Sequence, residues 1–466
     1  MKITKKELLT NVLLEKNTTF LLGAGASAPF FSSLGNFEFI LSHPSISSNG
    51  KNLIKIFFYE QSIADNSYLL NYLGNVCYCG EKAKQMEQIL DEYIRFVHNS
   101  LEFLKVRNSR VSPKRVNIVT TNYDLFFESA IEKSIENNPR IFFNDGANGY
   151  MKRILNTDNF NKTLLYSGVF DNYSSEMPVI NLIKCHGSIN WEEYNKSNTS
   201  KPKVIITPHS KLIPKINELL SSFIDKLKLG ITEPSFTLNN DFSTVEDFLK
   251  LLNTEVTENI VEDINKLAEL SKKQIEPIIA EIEKIQIVLP TKRKFQTTVI
   301  EEHYFNMLRL LSYELEKEQS ALIVFGFSFY DEHISDVVQR SLNNPNLLIL
   351  IMCYQDGNKE DIISKFNFSL QAIPSNIVFI EPKDFLIEEM TEQEFTQKYE
   401  DTDLSQYTII KNEGQVKIYS KDVNKSLYDE TQVPILNFSS FNSILEEEFT
   451  NKYQSVFLNE EGEEIE

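Results

Sequence analysis

The feature that most constrains this 466-residue chain is a repeated pairing: a short apolar run, then at once a cluster of small or polar residues. Thr18–Leu22 runs into Gly23-Ala24-Gly25-Ala26-Ser27. Val116–Thr120 runs into Thr121-Asn122-Tyr123-Asp124. Pro178–Ile183 delivers Lys184-Cys185-His186-Gly187-Ser188, and Ala321–Phe325 ends in Gly326-Phe327-Ser328 with Asp331 close behind. Runs this short, bounded by turn residues and rich in β-branched side chains, read as strands buried on both faces.

Stretches of helical spacing lie between them: Lys5–Leu14, Glu81–Leu104, Leu125–Ile135, Glu302–Leu315 and Asp331–Leu342. Further strands are expected at Val204–Ile206, Ile285–Leu289, Leu347–Cys353 and Ile377–Ile380. Strands alternating with helices predict an α/β fold, a Rossmann-like and mostly parallel sheet with both faces covered. Residues 30–80 read as loops and short helices. Residues 211–284 change character: many Lys and Glu, with faces such as Leu219, Leu220, Phe223 and Leu227, predict a helical insertion. The expected organisation is a core over residues 1–385, interrupted at 211–284, and a small C-terminal extension over 386–466.

Composition sets limits on function. Hydrophobic residues make up 41% of the chain, enough for a sizeable core. The 66 acidic residues outnumber the 47 basic ones, giving a net charge of -19, so the chain is not a general nucleic-acid coat. A local basic patch at Lys105, Arg107, Arg110, Lys114 and Arg115 is the exception, and its simpler reading is a solvated loop. Four cysteines are too few for a disulfide scaffold and suit a reducing compartment. With no signal-like N-terminus and no apolar run long enough for a bilayer, the expected location is the cytoplasm, away from membranes.

Ligands of parallel sheets bind beyond the carboxyl ends of the strands, where all four polar clusters lie. Ordinary strand-to-helix turns are the alternative for each cluster singly. A dehydrogenase fingerprint is missing: Gly23-Ala24-Gly25 lacks a third glycine, and Ser42–Ser47 offers no carboxylate for a ribose. There is no Gly-Lys-Ser/Thr phosphate loop and no His-Glu-x-x-His metal motif.

Taken in order, the four clusters resemble the sirtuin (SIR2) family, and more narrowly the bacterial sirtuin-like proteins of antiphage defence. The resemblance covers roughly residues 15–385, with interruptions. It implies NAD as substrate and cleavage of the bond between nicotinamide and ribose. It also implies Asn122 and His186 as the catalytic pair. The expected contacts to the dinucleotide are Gly23, Ala24, Gly25, Ser27, Thr121, Asp124, Gly326, Ser328 and Asp331. In defence proteins of this kind the reaction depletes NAD in the infected cell. The resemblance therefore also suggests a homo-oligomer gated by a partner, a HerA-like hexameric ATPase being favoured, with any DNA sensed through a local patch or that partner.

The residue chemistry is compatible with this. An asparagine donates and accepts hydrogen bonds, which suits a ribose hydroxyl or a water. A histidine takes up a proton near neutral pH. Asp124 either orients its loop or caps the following helix, Ser27 either caps or contacts the cofactor, and Trp191 either walls the site or packs in the core. Lysine-deacylating sirtuins carry a four-cysteine zinc module and a glutamine before the catalytic asparagine. Here only Cys77 and Cys79 are neighbours, and Thr121 precedes Asn122. No metal is expected, and hydrolysis of free NAD is favoured over deacylation. A non-catalytic module that binds NAD or ADP-ribose is the other alternative.

Overall fold

The computed structural model describes residues 5–31, 37–74, 76, 79–107, 113–138, 140–170, 174–195, 202–231, 257–289, 298–366, 373–399, 403–412, 414–426 and 432–446. Cys77, Arg110, Pro290, part of the predicted helical insertion and the acidic C-terminus fall outside these residues.

Seven strands form the central sheet: β1 (Asn17–Leu22), β2 (Arg115–Thr120), β3 (Phe142–Asn144), β4 (Val179–Lys184), β5 (Ser320–Phe325), β6 (Leu348–Met352) and β7 (Ile377–Ile380). Their order is β7-β6-β5-β1-β2-β4-β3, and every neighbouring pair is parallel. The sheet is thus the Rossmann-like α/β architecture expected from the sequence. Side chains alternate between two cores, as the period of a strand requires. Phe20 and Leu22 join one core and Leu21 the other, and Ile323 and Leu322 divide likewise.

One face is covered by helices Lys5–Glu15, Ser48–Ser62, Glu81–Val106 and Phe126–Asn137. The other carries Thr298–Leu315 and Glu332–Ser341. The helical stretch is present as Leu212–Ile231, Glu258–Leu270 and Lys272–Ile282. It is continuous with the first core: Ile213, Ile216, Ile264 and Ile278 pack there with Ile54 and Phe57 of helix Ser48–Ser62.

Three sequence expectations change. First, Val204–Ile206 and Ile285–Ile287 do not extend the parallel sheet. They flank Gly187–Tyr194 on either side within a separate antiparallel sheet of five strands. The chain turns sharply after β4 at Gly187, whose φ is +81°, and a Cβ there would lie 2.1 Å from the Gln286 carbonyl oxygen. Second, residues 30–80 include a fifteen-residue helix, Ser48–Ser62, capped by Ser47 Oγ accepting from Gly50 N. Third, the basic patch loses its centre. Arg107 is 2% exposed and donates inward to Leu13 O, Thr18 Oγ1, Pro113 O and Arg115 O. Burial lowers its pKa to about 10.

Beyond β7 the chain forms a small antiparallel sheet of Leu386–Thr391, Gln415–Ser420 and Tyr407–Asn412. It then returns to the first core, where Phe441 stacks on Phe325 with ring centroids 5.2 Å apart. Asn442 Nδ2 donates to the Glu92 carbonyl at 2.8 Å, fastening this return to helix Glu81–Val106.

Candidate active site

Strand register brings the four polar clusters together. Phe325 pairs with Leu22, Leu22 with Thr120, and Thr120 with Lys184. The last residues of β5, β1, β2 and β4 therefore stand level, and the next residues of each chain segment emerge side by side. Strand order also reverses here: from β1 the chain builds outward through β2, then returns to add β5 on the other side. Such a switch point is where open parallel sheets hold their ligands.

The two glycine turns interlock. Gly23 N donates to Phe325 O and Gly25 N to Gly326 O, both at 3.0 Å. A Cβ on Gly25 would meet Gly326 Cα at 2.6 Å, and one on Gly326 would meet Ala26 N at 2.8 Å. Gly326 also has φ of +63°, a region costly for any residue with a Cβ. Ala24 and Gly25 are exposed at the rim, with Ser328 exposed across from them on the β5 side.

Asn122 is held by its amide. Its Nδ2 donates to Gly23 O at 3.1 Å and to Ser27 Oγ at 3.0 Å. A carbonyl only accepts, so the amide orientation is fixed by chemistry. Both amide hydrogens are then used, and what the side chain has left to offer is the acceptor Oδ1. Ser27 in turn donates to Asp124 Oδ2 and lies 2.7 Å from the Tyr93 hydroxyl. Asp124 Oδ1 accepts from Phe126 N, so Asp124 serves both as a turn former and as the anchor of Ser27. Thr120 Oγ1 accepts from Asn122 N and donates to Leu22 O, pinning the loop that contains Thr121 to β1. Burial raises the Asp124 pKa, against the opposing pull of Lys184 and these hydrogen bonds.

His186 is partnered by a carboxylate. Its Nε2 lies 3.0 Å from Asp331 Oδ2. A carboxylate accepts, so Nε2 carries a hydrogen, and in the neutral ring Nδ1 is then the acceptor. This bond joins the loops leaving β4 and β5, strands that the sheet separates by β1 and β2. Asp331 Oδ1 also caps helix Glu332–Ser341, accepting from His333 N and Ile334 N, and receives the Tyr304 hydroxyl at 3.3 Å. Its oxygens are thus committed to His186, Tyr304 and the helix cap.

Trp191 is buried in the second core with its ring 6.4 Å from His303, so the packing alternative describes it. Cys185 and Cys353 are buried thiols whose pKa values burial raises. Among the described residues no cluster of three or more His, Cys, Asp or Glu side chains is placed to hold a metal ion. Nor is any described helix long and apolar enough to cross a membrane.

Tyr93, Lys184, Glu128 and Tyr304 also belong to this constellation, and the sequence did not single them out as site residues. Tyr93 is one of several apolar positions in the helical spacing of Glu81–Leu104, with nothing in the sequence to set it apart. Lys184 was visible as a lone charge closing the apolar run Val179–Ile183, a signal that was available. No protein-family model matches the chain, and no curated protein matches it either.

Proposed function

We propose that this site binds NAD and hydrolyses it to nicotinamide and ADP-ribose, in the manner of sirtuin-like NAD hydrolases. One observation carries the reading most: level strand ends bring an amide-anchored asparagine and a carboxylate-anchored histidine to one edge, beside interlocked glycine turns. The exposed turn at Ala24 and Gly25 leads into the site from a strand end, and its small residues let a diphosphate approach the backbone closely. Asn122 Oδ1 accepts from a ribose hydroxyl or the incoming water. Nicotinamide leaves C1′ with the bonding electron pair and becomes neutral. Water adds its oxygen to C1′, and the surplus proton passes to His186 Nδ1, whose new charge Asp331 balances. Nothing in these steps calls for a metal.

The setting in antiphage defence, and gating by a HerA-like ATPase within an oligomer, form the wider part of the proposal and rest on the motif resemblance. Nicotinamide release from NAD tests the chemistry, with the chain alone and with such an ATPase. Asn122→Ala and His186→Ala are each expected to lose about 10²-fold or more, the usual worth of a positioned acid–base or orienting group. Full activity in both variants refutes the assignment.

A further inference from the structure

Beneath the candidate site sits a charge that none of these steps uses. Lys184, the last residue of β4, is 3% exposed. Its ammonium donates to the backbone carbonyl of Asp124, to Glu128 Oε1 at 2.8 Å and to Ser188 Oγ at 2.9 Å. An ammonium has three hydrogens, and all three are placed, so none is left for a substrate. An aliphatic residue would end an apolar strand without the desolvation penalty that a buried ammonium carries. The acceptors explain the lysine better than packing does. Asp124 lies two residues after Asn122, Ser188 two residues after His186, and Glu128 in the first turn of helix Phe126–Asn137.

We propose that Lys184 is a positioning residue whose ammonium clamps the Asn122 loop to the His186 loop and so sets the spacing of the two reactive side chains. This rests on the reading of the site given above. The clamp is also electrostatic. Asp124 from the β2 loop and Glu128 from the helix after it both feel the Lys184 charge, and the Tyr93 hydroxyl from helix Glu81–Val106 feels both carboxylates. Burial raises the pKa of both carboxylates, and Lys184 opposes that rise in each. Without the ammonium, Asp124 takes up a proton at higher pH. It then ceases to be an ionised acceptor for Ser27, whose oxygen orients Asn122.

The test uses Lys184→Met and Lys184→Met/Glu128→Gln in the full chain, with two readouts. The first is the pH profile of nicotinamide release. Lys184→Met is expected to keep KM for NAD within about threefold and lose roughly 10²-fold in kcat, the scale of a misplacement near 1 Å. Its acid limb moves to higher pH, and Glu128→Gln on that background moves the limb part of the way back. The second readout needs no activity: hydrogen exchange of the segments around residues 121–125 and 185–189 is expected to quicken together in Lys184→Met. A folded Lys184→Met protein with unchanged exchange, or with unchanged kcat and acid limb, overturns the proposal. A wild type that releases no nicotinamide, either alone or with a HerA-like ATPase, defeats the hydrolase reading, while the exchange experiment still decides the clamp. If Lys184→Met does not fold, Ser188→Ala removes one acceptor and is expected to give smaller changes of the same sign in both readouts. No change in either then overturns the clamp.

Discussion

Replacing Gly326 by alanine tests the interlocked glycine turns quantitatively. Two penalties act together at this position. The backbone has φ of +63°, and a Cβ there would lie 2.8 Å from Ala26 N and 2.8 Å from Gly25 Cα. Two other glycines separate the terms. Gly357 has φ of +92° with nothing within 4 Å of its Cβ position, so it carries strain without collision. Gly25 carries collision alone, with Gly326 Cα at 2.6 Å. Left-handed strain costs alanine about 1 kcal/mol after allowance for the stiffer unfolded chain. Forced overpacking against backbone adds roughly 1–3 kcal/mol. Gly357→Ala is therefore expected to cost about 1 kcal/mol, and Gly326→Ala about 2–4 kcal/mol. In thermal unfolding of a chain this long, with roughly 2 cal/mol/K of unfolding entropy per residue, the shifts should be about 1 °C and about 2–4 °C. The double variant Gly25→Ala/Gly326→Ala should cost less than the sum of its parts, because both methyl groups open the same seam. Gly326→Ala should also weaken NAD binding, whereas Gly357→Ala should not. Equal shifts for Gly326→Ala and Gly357→Ala would refute the close approach of the two turns.

Two further outcomes follow from buried charges. Arg107→Met removes the guanidinium's hydrogen bonds to Leu13 O, Thr18 Oγ1, Pro113 O and Arg115 O, and should cost about 3–4 kcal/mol in denaturant unfolding. A cost below about 1 kcal/mol would contradict this reading of the buried guanidinium. His303 has Nδ1 buried without a hydrogen bond among the described residues, and burial lowers its pKa from 6.5. A lowered histidine pKa means that the unfolded chain binds the proton more readily. Its effect on stability is therefore absent well above pH 6.5 and destabilising as pH falls from there toward the folded value. His303→Leu should flatten that acid slope of the unfolding midpoint; an unchanged slope would place its cause elsewhere.

The central strands were legible because burial on both faces makes them short continuous apolar runs, as in Ala321–Phe325 and Val116–Thr120. Turn residues at their ends then marked the edge where Asn122 and His186 lie. Helix Ser48–Ser62 was not legible, for a physical reason. It is buried at Leu53, Ile54, Ile56, Phe57, Phe58 and Tyr59, so it shows no single apolar stripe, and its first turn reads Ser-Asn-Gly. Gly187–Tyr194 was hidden in another way: only two residues separate it from β4, it starts inside the polar cluster read as a turn, and the reversal at Gly187 divides the two strands. The pairing of His186 with Asp331 spans 145 residues and depends on strand order, which local pattern does not encode. Lys184 stood in plain view, yet its meaning depends on acceptors supplied by two other segments.

The most direct measurement is a crystal structure of the full chain with ADP-ribose, a ligand that needs no turnover and no activating partner. The diphosphate is expected at the Gly23–Ala26 turn. The terminal ribose is expected between Asn122 Oδ1 and His186, with the His186–Asp331 bond intact. ADP-ribose bound elsewhere, or no binding at concentrations that saturate NAD-cleaving enzymes, would contradict the assignment of this strand edge as an NAD site.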